Sequence, residues 1–186
     1  MELNILRSEI TKCDFCDLRK NIKDETPLPS KGSGKIMFVT SAPQFENLSL
    51  GQHFSINEQR YFDLILKACK IDSNDIYLTS ITKCSYNKDN KKTLTCKDLC
   101  ATKFLLREIQ LVEPKLIVCI GKVPACHFLQ IPFSRLKLAD VVNRTYDCDG
   151  IKVIPVYNMS YLIQNGKKMT QDVIDCIKET NGICER

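Results

Sequence analysis

Apolar and polar positions along this chain change rhythm several times, and each change marks an element. KIMFVT (Lys35–Thr40) is a nearly continuous apolar run opened by the turn-prone KGSGK, which predicts a buried strand. After it, Ser55 and Glu58 have the spacing of a capping box, and Tyr61, Leu64, Ile65 and Ala68 fall on one helical face. DIYLTS (Asp75–Ser80) predicts a second strand. Thr95 and Asp98 predict a helix start, with Leu105, Ile109 and Val112 on its buried stripe. KLIVCI (Lys115–Ile120) reads as a strand ended by Gly121, followed by a short helix over Val123–Leu129. IKVIPV (Ile151–Val156) is the last clear strand, and a final helix is expected from Thr170 to Thr180, stopped by Asn181-Gly182.

Strands alternating with helices predict βαβ units, hence an α/β fold: a three-layer α/β/α sandwich with a mainly parallel central sheet. In such sheets ligands bind beyond the carboxyl ends of the strands. That rule points to Ser41–Phe54, Ser80–Cys84, Gly121–Lys122 and Tyr157–Ile163. No repeat, low-complexity tract or linker divides the chain, so one domain over residues 1–186 is expected, with a cysteine-bearing segment at its N-terminal end.

Composition adds compartment and charge. The chain has 186 residues, 44% hydrophobic and 26% charged, an ordinary soluble balance. The first fifteen residues carry acids, and no apolar stretch approaches a membrane span, so neither a secretory signal nor a membrane helix is expected. The formal net charge of +5 is a mild lean towards polyanions, short of what by itself argues for nucleic acid. Lys88, Lys91 and Lys92 read as a basic loop.

Eleven cysteines change the picture more. A secreted disulfide scaffold would be small, loop-rich and signal-bearing, so a reducing cytoplasm and metal-ligating thiols are expected instead. Cys69, Cys119, Cys126 and Cys176 have apolar neighbours and read as core residues. Cys13 and Cys16 instead sit in the polar TKCDFCDLRK, as a chelating pair. Cys84 ends the second strand in TKC, and Cys100 lies sixteen positions on, along the next helix. Two local and two distant cysteines suit either zinc or an iron–sulfur cluster, and ligand count does not separate them. Cys96 lies four residues before Cys100 and shares its helix face.

With these motifs in place, nearly the whole chain resembles the iron–sulfur uracil-DNA glycosylases, the family-four branch of the uracil-DNA glycosylase superfamily. Cys13-Asp-Phe-Cys16-Asp-Leu resembles that family's opening C-x-x-C-x-L, and KIMFVTSAP its strand into the G-E-A-P-G loop. Gly51-Gln52-His53-Phe54 is similar to G-x-P-F, DIYLTSITKC to V-Y-I-T-N-V-V-K-C, and IPVYNMSYLIQN to P-T-Y-H-P-A-Y-L-L-R-N. The resemblance implies a uracil-DNA glycosylase-like sandwich, a [4Fe–4S] cluster on Cys13, Cys16, Cys84 and Cys100, and DNA as partner of a monomer. It leaves Cys96 as a spare.

The departures concern chemistry. The family's catalytic acid falls on Ser41, its uracil-reading Asn on Ser80 and its His on Asn158. Gln44 replaces a Gly, His53 a Pro, Met159 a Pro and Gln164 an Arg, while the base-stacking Phe54 is kept. Base excision passes through an oxocarbenium-like sugar and a departing base anion, which a carboxylate and a hydrogen-bond donor respectively stabilise. Ser41 supplies no carboxylate, Ser80 is too short to imitate the Asn amide, and Asn158 donates without positive charge. Removing one such donor costs roughly a hundred- to a thousandfold in rate. Ser41, Asn158 and His53 are thus the candidate catalytic residues, with Gln44, Phe54 and Ser80 lining a base pocket. Glu46 and His127 are further candidates, with a solvated loop carboxylate and a core histidine as their ordinary readings. Tyr161 and Leu162, in a Tyr161-Leu162-Ile163 loop suited to wedging into DNA, and Lys122 are the expected DNA contacts. The expected activity is a divergent DNA glycosylase for a modified or damaged base, rather than efficient uracil excision. A catalytically silent DNA- or protein-binding relative is the alternative.

Overall fold

The computed structural model describes residues 1–22, 25–85 and 92–184. Two helices, α1 (Glu2–Thr11) and α2 (Leu18–Asn21), precede β1 (Lys31–Gly32) and β2 (Ile36–Thr40). Then come α3 (Phe45–Leu48), α4 (Ile56–Cys69), β3 (Ile76–Ser80) and α5 (Lys92–Cys100). A π-helical turn over Ala101–Leu105 joins α5 to α6 (Leu106–Val112), followed by β4 (Leu116–Ile120) and α7 (Lys122–Leu129). The chain ends with β5 (Tyr146–Cys148), β6 (Ile151–Val156), α8 (Met159–Asn165) and α9 (Lys167–Cys184).

The six strands lie in the order β1-β3-β2-β4-β6-β5. The inner four are parallel, and the two edges pair antiparallel. Every residue of β2, β3 and β4 is buried, as expected for strands covered on both faces. Successive side chains point to opposite faces. Phe38, Leu78, Val118 and Ile154 therefore pack with Phe62, Ile65, Leu162 and Val173 from α4, α8 and α9. Met37, Val39, Tyr77, Ile117 and Val153 pack on the other side, with Leu105, Val112 and Ala125. The expected three-layer sandwich and its mainly parallel sheet are thus present. Phe62 anchors one layer, edge-to-face on Phe38 at a centroid distance of 4.9 Å. Burying such a side chain contributes roughly 1.5–3 kcal/mol.

Helix α4 starts as its sequence predicts: Ser55 Oγ accepts from the Glu58 N–H at 3.4 Å, and Glu58 Oε2 accepts from the Ser55 N–H at 3.1 Å. The other carboxylate oxygen, Oε1, accepts from Ser160 Oγ at 2.5 Å, tying α4 to α8.

Three differences from the sequence reading have plain causes. The helix expected to start at Thr95 is already formed at Lys92, and Asn181-Gly182 lies inside α9, which continues to Cys184. There the buried stripe of Val173, Ile174, Ile177 and Thr180 outweighs the stop dipeptide. The edge strands β1 and β5 are two and three residues long and largely outside the core, too short for an alternation signal. In β1, Gly32 has φ +79°, and a Cβ there would lie 2.2 Å from the Ile76 carbonyl oxygen, so only glycine permits this pairing. Lys88 and Lys91, with the side chain of Lys92, lie outside the described residues.

Candidate functional site

Four parallel strands deliver their carboxyl ends to one edge of the sheet. Ser41 follows β2, Ser80 ends β3, Gly121 follows β4 and Asn158 lies just past β6. Because β4 lies between β2 and β6, Ser41 and Asn158 approach from either side of Gly121. A Cβ on Gly121 would lie 3.8 Å from Asn158 Cβ and 3.9 Å from Ser41 Oγ, and its φ of +93° suits the glycine already there. Asn158 also caps α8: its Oδ1 accepts from the Tyr161 N–H at 2.8 Å, leaving the amide NH2 to meet a ligand.

Ser80 does not join them with its hydroxyl. It is fully buried, and its Oγ donates to the Thr82 carbonyl at 2.7 Å. Phe54 is buried too, its ring tilted 40° against Phe62 at 5.1 Å. Gln44 is exposed at the start of α3, and with Ser55, Glu58, Ser160 and Ile163 it borders a groove of about 330 Å³. Glu46 is exposed. His127 is half-buried on α7, and that burial lowers its pKa.

Two expectations are corrected. His53 is a buried residue, only 4% exposed, and no part of an open rim. Its Nε2 donates to the Pro29 carbonyl at 3.3 Å, so the proton is on Nε2 and Nδ1 is left buried without a partner. Burial, reinforced by the charges of Lys83 and Lys31, lowers its pKa to about 3. Such a ring is neutral across the physiological range. Between its ordinary pKa near 6.5 and about 3, the unfolded chain binds a proton that the folded chain does not. Stability therefore falls as pH drops through that window, by about 1.4 kcal/mol per pH unit. In urea unfolding at pH 7, 6, 5 and 4, the wild-type midpoint is expected to fall relative to that of His53→Leu on acidification. Parallel curves would contradict the assignment.

Leu162 is the second correction. The expected wedge loop is helix α8, and Leu162 points into the core with no exposure. Its neighbours face outward: Tyr161 is 38% exposed and stacks on Tyr157 at 4.5 Å, and Ile163 is 42% exposed. The helical repeat explains the split, since three consecutive residues cannot share one helical face. Lys122 sits at the start of α7, its Nζ 4.1 Å from the centroid of the half-exposed Phe133 ring.

Beneath the edge lies a polar network that the sequence reading missed. Lys83, 1% exposed, donates from Nζ to Thr79 Oγ1 at 2.6 Å, to the Ser80 carbonyl at 2.8 Å and to Glu108 Oε2 at 2.8 Å. Thr79 Oγ1 donates to the same Glu108 oxygen at 2.8 Å. The one available hint was a lysine abutting Cys84.

The network adjoins the thiols. Cys84 and Cys96 pack together with Leu18, Ile22, Leu28 and Leu48, and Cys16 lies against this group. Cys100 packs with Leu6, Ile10 and Phe104, with Cys13 alongside. Burial pushes the Cys16 thiol up to about 11, although the Leu18 N–H favours its thiolate. Burial pushes Cys84 up to about 12, aided by the neighbouring Cys100, Cys16 and Cys13. Cys100 is also raised by burial, against the ammonium and backbone N–H of Lys83. So the cysteines expected to act together do share one region, joined by Cys96. Among the described residues, no three His, Cys, Asp or Glu side chains close around one point as a lone metal ion requires. Cys69 and Cys119 are buried, as core residues should be, while Cys126 and Cys176 are half-buried.

The chain as a whole has known relatives. The family model described as the uracil DNA glycosylase superfamily matches residues 29–180. The type-4 uracil-DNA glycosylase of Thermotoga maritima is 24% identical over 187 residues, covering 99% of this chain and 95% of that protein. Its counterpart from Archaeoglobus fulgidus is 24% identical over 155 residues, covering 81% and 77%, and that from Saccharolobus solfataricus is 22% identical over 185, covering 95% and 85%. A match over residues 29–180 covers most of the chain, which therefore belongs to the uracil-DNA glycosylase superfamily, and the relatives just described carry the type-4 name.

Proposed function

We propose that this protein is a DNA glycosylase that hydrolyses the N-glycosidic bond of a modified or damaged base rather than excising uracil efficiently. The observation that carries this reading is the pair Ser41 and Asn158 flanking Gly121 at the carboxyl edge of the sheet. Asn158 donates through its amide to the carbonyl of the departing base and disperses its negative charge. Ser41 hydrogen-bonds the attacking water but sets no negative charge against the oxocarbenium-like sugar. The missing carboxylate confines the enzyme to bases that already leave easily. Tyr161, Ile163 and Lys122 supply an aromatic face, an apolar tip and a cation for DNA next to that edge. No helix among the described residues is long and apolar enough to cross a membrane.

Cys13, Cys16, Cys84 and Cys100 fit a [4Fe–4S] cluster: they are thiols gathered in one apolar region, with N–H groups of Leu18 and Lys83 directed at two of them. When bound, the cluster supplies a covalent cross-link between the N-terminal segment, the exit of β3 and α5. The chain acts as a monomer on DNA.

The test uses oligonucleotides carrying uracil, deaminated purines and alkylated bases, incubated with purified protein and then cleaved with alkali. Cleavage at a modified base well above that at uracil is the expected result. Binding without cleavage of any substrate at protein excess would overturn the enzyme reading in favour of the silent module. The buried Phe54 and the turned-back Ser80 hydroxyl are what favour that second reading.

A further inference from the structure

Five cysteines, one more than a [4Fe–4S] cluster ligates, share the thiol region. Cys96 and Cys100 are four residues apart on α5, one above the other on a single helix face, at 6% and 8% exposure. Their surroundings differ in a telling way. Cys96 packs with Cys84, with Cys16 against the same group, whereas Cys100 packs towards Cys13. Either position on the helix therefore presents sulfur to the other thiols.

A π-helical turn begins directly after Cys100, at Ala101. Both cysteines precede that turn and keep the spacing of one helix face, while Phe104 and Leu105 within it and Glu108 after it are buried. A cysteine serving only as a small core residue needs no other sulfur nearby. Cys96 has them, and its thiol interacts with that of Cys16.

We infer that Cys96 is an exchangeable fifth ligand of the thiol site, able to take the place of Cys100 on the cluster. This rests on the cluster reading given above. The exchange is balanced: the Cys96 thiol loses its proton as it binds iron, and the displaced Cys100 thiolate takes one up. No oxidant or reductant is involved.

The full chain, purified and reconstituted anaerobically, is compared as wild type, Cys96→Ala, Cys100→Ala, Cys96→Ala/Cys100→Ala and Cys84→Ala. The readouts are iron and acid-labile sulfide per chain, visible absorption, and far-ultraviolet circular dichroism as a check of folding. Cys96→Ala is expected to load like wild type, and Cys100→Ala to keep roughly half or more of its iron and sulfide. The double variant and Cys84→Ala are expected to fall about tenfold or further. Cys100→Ser, close in size to cysteine, repeats the measurement without leaving a cavity. If both Cys100 variants are folded but as empty as the double variant, the inference is wrong. It is also wrong if Cys96→Ala empties the site, since Cys96 would then be an obligatory ligand. A wild type that takes up neither iron nor sulfide would overturn the cluster reading itself, and this inference with it.

Discussion

Ser41→Glu combined with Asn158→His is expected to raise uracil excision by about a hundred- to a thousandfold over the wild-type chain. Both positions can accept the change. Ser41 is half-buried at the exit of β2, Asn158 is exposed, and both flank Gly121. The carboxylate restores a negative group beside the sugar, and the imidazole restores a stronger donor to the uracil carbonyl. One cost is the helix cap, because histidine gives up the bond that Asn158 Oδ1 accepts from the Tyr161 N–H, worth about 1 kcal/mol. Adding Ser80→Asn is expected to cost more than it returns. Ser80 has no exposure, and overpacking of this kind costs roughly 1–3 kcal/mol. Quantifying abasic sites in a uracil-containing duplex decides the matter. No gain from a folded double variant would mean that Ser41 and Asn158 do not face the base.

The second large effect concerns Lys83. Lys83→Met leaves Glu108 as an uncompensated charge with no exposure, and its Oε1 already lacks a partner. A loss of about 3–5 kcal/mol is expected, because an unpaired buried charge costs far more than a pair is worth. Lys83→Met with Glu108→Leu is expected to recover most of that loss, since an apolar pair of similar volume can replace a buried ion pair. Denaturant midpoints followed by circular dichroism separate the two. A single variant as stable as wild type would show that the pair is not held as described. The Lys83 ammonium also favours the Cys100 thiolate, so the single variant is expected to disturb the thiol region as well.

The inner strands were legible because burial on both faces writes them as apolar runs, and KLIVCI or IKVIPV permits little else. The thiols were legible because two of them stand in a polar segment. Exposure was not legible. Nothing in the order of residues says that Leu162 turns inward between Tyr161 and Ile163, or that His53 is sealed behind Pro29. Glu108 in REIQLV looks like any surface acid of an amphipathic helix. Only the approach of α6 to the end of β3 makes it the partner of Lys83. The family resemblance left Cys96 as a spare, whereas packing places it among the other thiols.

An asparagine amide is ordinarily ambivalent, offering an acceptor or a donor according to how it is flipped. Here the cap on α8 removes the choice, and Glu58 braces the same helix through Ser160. In the proposed reaction Asn158 thus offers a base its NH2, with the carbonyl turned to the helix. Bases that present a carbonyl are matched, and those that present an amino group are opposed by two donors facing each other. On the proposed reading, discrimination between a carbonyl and an amino group at that one contact then arises from a helix cap.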